Sequence, residues 1–368
     1  MEFSAAIARR AGDPLSIERV KIGSLGPSDV LVRIHAAGLC HTDREVMTGS
    51  VATVFPCILG HEGAGVVEAV GSAVTRVKKG DHVVCSIYGG ACGHCFYCRK
   101  SQRMFCEEIS ASKSLGTIPK GMPRFTQGEQ PLHHFLCTSC YAEYTVLPEG
   151  GAVAIPREVP FEQACILGCC VTTGFGAATR VTNVPIGASV AVIGCGPIGI
   201  NVLQGASVAG AADIIAIDTN PDRLVLAQQF GATCVLSPKT QDVIAEIRKI
   251  THGRGVDYAF EAGGNDQTIQ LSLEVTRPGG HVTILGKTPP DHHIPIRFGA
   301  IMGGKTILRS TLGGAHEHED FPRLCRLYLD GRLKLDELIT RRIGLADIND
   351  GMKDLDNAFG LRTVIRMH

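Results

Sequence analysis

Tryptophan is absent from this 368-residue chain, and aromatic residues make up only 5% of it. Proteins that hold single-stranded nucleic acid stack bases on aromatic side chains, and the chain offers little for such platforms. An excess of either charge is missing too: 36 basic residues face 36 acidic ones. That removes the electrostatic reason to expect a nucleic acid or an anionic membrane surface as partner. The short basic group Arg323, Arg326, Arg332 and Lys334 reads as a solvated helix face. The segment Met1-Glu2-Phe3-Ser4 has neither the basic nor the long apolar stretch of an export signal, so a cytoplasmic location is expected. Disulfides are rare in that compartment. The fifteen cysteines therefore point to metal ligation where they cluster. An unbroken apolar helix is lacking as well. Residues 181–212 carry no charge, but Pro185, Pro197 and several glycines interrupt them. They read as strand, turn and helix of a buried parallel sheet rather than as a membrane span.

What is present is two kinds of periodicity. Up to about residue 170 the chain reads mostly as strands and loops, with alternation at Val30–His35 and β-branched runs at 64–70 and 82–87. Beyond that point strands and helices alternate: Ser189–Ile193, a helix to about Gly210, Asp213–Ile217, a helix over Pro221–Phe230, a polar helix over 241–251, then Val256–Phe260 and His281–Leu285. Such alternation predicts a doubly wound parallel α/β sheet. The last segment has helical pieces at Asp320–Asp330 and Ile348–Ala358 and a closing strand at Arg362–Ile365. The expected domains are 1–170 together with 313–368, and 171–312.

The densest chemical signal is Cys92, Cys95, Cys98 and Cys106, spaced C-x2-C-x2-C-x7-C. Thiolates on one short loop can wrap a tetrahedral zinc, and a full set of four leaves no open position, so this site reads as structural. An iron–sulfur cluster is the competing occupant. His94 inside the loop reads as a bystander. A second signal is Gly194-x-Gly196-x-x-Gly199, which follows a predicted strand and opens a predicted helix, with Asp218 nineteen residues further on at the end of the next strand. That combination is a dinucleotide fingerprint of the Rossmann type. The glycines let the backbone approach a pyrophosphate at the helix's positive end. Asp218 is expected to accept from the ribose hydroxyls and to repel a 2′-phosphate, which favours NAD over NADP.

Three further candidates are scattered: Cys40 in Gly38-Leu39-Cys40-His41-Thr42-Asp43, His61 in Gly60-His61-Glu62-Gly63, and Cys169 with its neighbour Cys170. A buried cysteine is usually a small core residue, and spacing alone leaves metal binding and packing equally open. In this order, these pieces with the cysteine loop, Leu167-Gly168-Cys169 and Gly194–Gly199 resemble the medium-chain zinc-dependent alcohol dehydrogenase family over nearly the whole chain. The stretch Pro123–Phe125, His133–Leu136, Thr138-Ser139 resembles its liver-type, aryl-alcohol and formaldehyde dehydrogenase branch.

The resemblance implies a mainly β, GroES-like catalytic domain beside the Rossmann domain, with two zinc ions per subunit, one catalytic and one structural. It implies Cys40, His61 and Cys169 as catalytic zinc ligands, with Glu62 as an alternate ligand and Cys170 as a rival to Cys169. It places His41 and Arg362 near the pyrophosphate, Arg223 at the adenosine ribose and Thr173 beside the nicotinamide. Thr42 would bond the substrate oxygen and start a proton relay. Glu45, where many relatives carry histidine, either takes the proton or is only a helix-face charge. Tyr88, Phe135 and Leu136 would line an apolar substrate pocket.

The implied reaction is reversible oxidation of a primary aliphatic or aromatic alcohol to an aldehyde, a zinc-bound alkoxide giving hydride to NAD. Two other functions compete. One is oxidation of a thiol adduct of formaldehyde, against which stands the lack of acidic residues around 49–55 and of an arginine near Ser110. The other is a non-catalytic zinc- and NAD-binding protein. A homodimer or homotetramer is expected.

Overall fold

The computed structural model describes residues 1–119, 121–357 and 360–367. The chain divides into two compact units, Met1–Cys169 with His316–His368, and Cys170–Ala315. The boundaries therefore fall between Cys169 and Cys170 and between Ala315 and His316.

The first unit is built on strands. A closed barrel runs through Glu2–Ala8, Ser16–Ile22, Phe125–Gln127, Gln130–His134 and Cys57–Ile58. A second sheet is ordered Ala152–Ala154, His82–Cys85, Glu62–Val70, Asp29–Gly38, Arg362–Arg366 and Ile339–Gly344, with Tyr144–Pro148 also paired to Asp29–Gly38. The alternation read in the sequence explains the hub strand. Val30, Val32 and Ile34 are wholly buried, and their neighbours between are partly exposed. Packing such faces removes apolar surface from water at roughly 25 cal/mol per Å². The closing strand pairs antiparallel with the hub, Val364 opposite Gly38, and so returns the C-terminal segment to this unit.

Helices also occur where strands and loops were expected. His41–Thr48 starts directly after Cys40 and stops at Gly49, which takes the left-handed conformation favoured at helix ends. Glu107–Leu115 follows the last loop cysteine, with Glu107 and Glu108 in its first turn, where acidic side chains suit the helix dipole. The terminal helices run Glu317–Leu329 and Ile348–Asp356. The expected end of the latter, Ala358, lies outside the described residues.

The second unit is a parallel sheet ordered Cys234–Leu236, Asp213–Ile217, Ser189–Ile193, Val256–Glu261, Thr276–Ile284 and Thr306–Arg309. Ser189–Ile193 is buried throughout, as a central strand covered on both faces should be. Helices Pro197–Ala209, Pro221–Gln229, Val243–Ile250 and Asp266–Val275 connect the strands. The uncharged run 181–212 thus resolves into strand, turn and helix. Among the described residues no single helix is long and apolar enough to cross a membrane.

Candidate active site

Cys40, His61, Glu62 and Cys169 come from separate elements, yet their ligand atoms all lie within 4.8 Å of one another. Cys40 ends the hub-strand segment and caps the helix His41–Thr48. His61 and Glu62 open the neighbouring strand, and Cys169 ends the short turn Ile166–Gly168. Cys170 is buried at the start of the next helix, outside this donor set. The converging group thus takes in Cys169 and leaves out Cys170.

The electrostatics of the group ask for a cation. The Cys40 thiol is pulled well down, first by the thiol of Cys169, and the Cys169 thiol is pushed well up, first by Cys40. Two thiolates this close repel each other unless a positive ion sits between them. For His61, burial favours the neutral ring, but the charges of Asp43 and Cys40 outweigh it and raise its affinity for a proton. Soft sulfur, imidazole and an adjacent carboxylate match the donor chemistry of catalytic zinc, which keeps one position open.

Asp43 carries more than its place in the motif suggests. Its side chain is wholly buried, Oδ2 stands 3.0 Å from His61 Nδ1, and Oδ1 accepts from the Gly60 N–H at 2.9 Å. Tyr141 donates its hydroxyl to Asp43 Oδ2 at 2.9 Å. Sequence reading passed over this aspartate. The available signal was its place three residues after Cys40 on the same helical turn. Burial pushes the Glu62 carboxyl up to about 7, even though it contacts the buried guanidinium of Arg362. Arg362, expected near a pyrophosphate, is thus held in the first unit against a member of the donor set.

Thr42 and Glu45 are both half-buried and lie three positions apart on the helix after Cys40, and His41 beside them is exposed. Residues so spaced share a helix face. Phe135 packs edge-on to the His61 ring, centroids 6.0 Å apart. Tyr88 is half-buried, and its phenol is pushed up to about 12 by burial and next by the charge of Cys169. Leu136, also half-buried, turns the chain with a positive φ of 49°.

The four loop cysteines also converge within 4.8 Å. Backbone N–H groups of Glu107 and Cys98 lower the Cys95 thiol to about 6, which prepares it as a thiolate ligand. His94 is exposed and its Nδ1 lies against the Cys92 carbonyl at 3.1 Å, so the four sulfurs suffice for a closed zinc shell.

In the second unit the fingerprint glycines hold three different places. Gly194 turns with φ +95°, and a Cβ on Gly199 would lie 1.9 Å from the Gly194 carbonyl oxygen. At Gly196, which caps the helix Pro197–Ala209, an added Cβ would meet nothing nearer than Arg223 at 4.0 Å. Open space at a helix N-terminus is where a pyrophosphate can approach. Asp218 follows the strand Asp213–Ile217 and accepts from the Cys195 N–H at 2.7 Å and the Asn220 N–H at 2.8 Å. Its oxygens keep lone pairs for ribose hydroxyls. Arg223 lies in the next helix, and Thr173 in the helix Cys170–Gly176 is half-buried.

Residues 26–157 match the alcohol dehydrogenase GroES-like domain, and residues 197–330 match the zinc-binding dehydrogenase domain. An S-(hydroxymethyl)glutathione dehydrogenase of Saccharomyces cerevisiae is 38% identical over 370 residues, covering 98% of this chain and 95% of that one. One from Paracoccus denitrificans is 37% identical, covering 99% of this chain and 100% of that one. The chain belongs to the zinc-dependent medium-chain alcohol dehydrogenase family. Among solved structures, benzyl alcohol dehydrogenase from Acinetobacter calcoaceticus is similar with a TM-score of 0.93 and 32% identity, each chain being covered completely at 100%. As a member of this family the protein is a zinc-dependent, NAD-linked oxidoreductase.

Proposed function

We propose that this dehydrogenase oxidises the hydroxymethyl group of a formaldehyde–thiol adduct, RS–CH2OH, to the S-formyl thioester, with NAD leaving as NADH and one proton released. The observation that carries this reading is the full-length similarity to relatives named for S-(hydroxymethyl)glutathione. That similarity outweighs the free primary alcohol expected first from the sequence. A free aromatic alcohol is the second reading, favoured by the likeness to benzyl alcohol dehydrogenase and by Phe135 beside His61.

Cys40, His61 and Cys169 would hold zinc, and Gly194, Gly196, Gly199, Asp218 and Arg223 would hold NAD. When bound, the metal polarises a hydroxyl and lowers its pKa while the nicotinamide accepts hydride. The chain's own residues do the rest. Asp43 fixes the His61 ring so that Nε2 faces the donor set. Thr42 Oγ1 takes the substrate hydroxyl proton, and Glu45, one turn along the same face, passes it outward. Phe135 and Tyr88 exclude water from beside the sulfurs. Asp218 selects NAD through its negative charge.

Two further proposals concern setting. A homodimer, or a dimer of dimers, would form through the second unit's sheet, whose edge strand Thr306–Arg309 exposes Ile307, with Phe298 and Met302 also exposed in that unit. A cytoplasmic location suits fifteen free thiols, several of them placed as ligands.

The deciding experiment follows NAD reduction by zinc-loaded enzyme with formaldehyde alone, formaldehyde plus low-molecular-weight thiols, and benzyl alcohol. Turnover of formaldehyde only with thiol supports the adduct reading. Equal or faster turnover of benzyl alcohol, with no effect of thiol, moves the protein to the second reading.

A further inference from the structure

Tyr141 is wholly buried beside Gly60, the residue that precedes His61. Its backbone is fixed on both sides: the N–H donates to the Leu59 carbonyl at 3.0 Å, and the carbonyl accepts from the Ala6 N–H at 2.8 Å. Gly60 makes room for the ring. It turns with φ +92°, and an added Cβ there would lie 2.6 Å from Tyr141 Cδ1. Held in this way, the phenol meets two acceptors, Asp43 Oδ2 at 2.9 Å and the Gly38 carbonyl at 3.2 Å. A phenol has one proton to give, and the nearer, charged oxygen makes the stronger bond. A phenylalanine would fill nearly the same volume. What the hydroxyl adds is the bond to the carboxylate.

That carboxylate oxygen has a second neighbour. His61 Nδ1 stands 3.0 Å from the same Oδ2, yet among the described residues the ring nitrogen makes no aligned hydrogen bond. Oδ1 is already tied to the Gly60 N–H at 2.9 Å, so the carboxylate keeps its place without the phenol. Anchoring Asp43 is therefore not what the phenol contributes. It draws negative charge from Oδ2 and holds that oxygen off the line to His61. A carboxylate partner raises the basicity of a metal-ligating histidine, and a carboxylate oxygen that already accepts a strong bond does so less.

We propose that Tyr141 is a positioning residue of the metal site: its hydroxyl restrains the bond between Asp43 and His61, keeps His61 a weaker donor, and so leaves a bound zinc more electrophilic toward the substrate hydroxyl. This rests on Cys40, His61 and Cys169 as the zinc ligands, and it holds whichever alcohol is oxidised. It gives the two outer residues opposite effects. Asp43 strengthens His61 as a ligand, and Tyr141 limits that strengthening.

The test is a cycle of wild type, Tyr141→Phe, Asp43→Asn and the double variant. Zinc affinity is read by chelator competition, the ion of interest being the one that Cys40→Ala loses. Expected is about tenfold tighter zinc in Y141F, the low end of the range for outer partners, and no such gain where Asp43 is already Asn. Turnover of the formaldehyde–thiol adduct or of benzyl alcohol should fall in Y141F even though zinc is held more tightly. Damage to packing would loosen zinc instead. Looser or unchanged zinc in Y141F, or an equal gain in both backgrounds, therefore overturns the proposal. A second measurement needs no variant to fold. The His61 Nδ1 proton of zinc-loaded wild type, followed by NMR with isotope-labelled histidine, should resonate where weakly bonded imidazole does, and should move downfield in Y141F. A far-downfield proton in wild type would mean a full Asp43–His61 bond and overturns the proposal as well. Absence of zinc from the Cys40 set in wild type would bring down the ligand assignment itself, and the proposal with it.

Discussion

Asp43 Oδ2 stands 3.0 Å from His61 Nδ1, and both side chains are buried to within 1% exposure. The carboxylate fixes which ring nitrogen faces Cys40 and Cys169, and partners of this kind raise the basicity of a metal-ligating histidine.

Replacing Asp43 by Asn keeps the size but removes the charge and changes the hydrogen bonds to Gly60 and Tyr141. The D43N protein should lose zinc from the Cys40–His61–Cys169 site about 10–100-fold more readily, the usual effect of such outer partners. Chelator competition, with zinc counted per chain, measures it. Retained affinity for two zinc ions would show that Asp43 only supports packing.

The four-cysteine loop should behave independently. Cys95→Ser removes one thiolate of the four that converge, while His94 nearby is exposed and has Nδ1 against the Cys92 carbonyl. Zinc content should fall by about one ion per chain. The melting temperature should drop by roughly 5–10 °C, in keeping with a loss of about 2–3 kcal/mol in a unit of this size. NADH binding should persist, because the fingerprint glycines and Asp218 belong to the other unit. An unchanged melting temperature would argue against a structural metal here.

How legible this was depended on sequence distance. The cysteine loop and the glycine fingerprint place all their partners within a short segment, so spacing alone exposed them. The catalytic set draws on Cys40, His61 and Cys169, and only the resemblance joined them. The Ser86–Glu317 bond spans 231 residues, and no local pattern announces it. The barrel was missed for a related reason: Phe125–Gln127 and Cys57–Ile58 are too short to show periodicity, and their pairing is set by tertiary contacts.

Asp218 offers a test of cofactor choice. Its carboxylate ties down Cys195 and Asn220 through their backbone N–H groups. In Asp218→Asn the charge that repels a 2′-phosphate is gone, and a charge-assisted bond to the ribose is weakened by about 1.5–3 kcal/mol. Expected is a fall of at least tenfold in kcat/KM for NAD with a rise for NADP, read from initial rates with both cofactors. An unaltered NAD-to-NADP ratio would remove Asp218 from cofactor selection.

His134 should make the fold sensitive to acid. It is buried against Phe125, with ring centroids 4.6 Å apart, and Nε2 accepts from the Arg124 N–H at 3.3 Å. Burial first, then the charges of Arg124 and His133, lower its pKa from 6.5 to about 3. The ring stays neutral in the folded protein while the unfolded chain protonates it near 6.5. The unfolded state therefore binds more protons below that pH, and stability falls as pH drops. The contribution is complete above about 6.5 and is lost progressively down to about 3, with a limiting slope of about 1.4 kcal/mol per pH unit. His134→Asn leaves an acceptor but no titrating group. Urea unfolding of wild type and H134N at pH 7.5, 6.5, 5.5 and 4.5 should give curves that converge as the pH falls. Parallel curves across that range would mean that His134 is protonated in the native state or exposed to water.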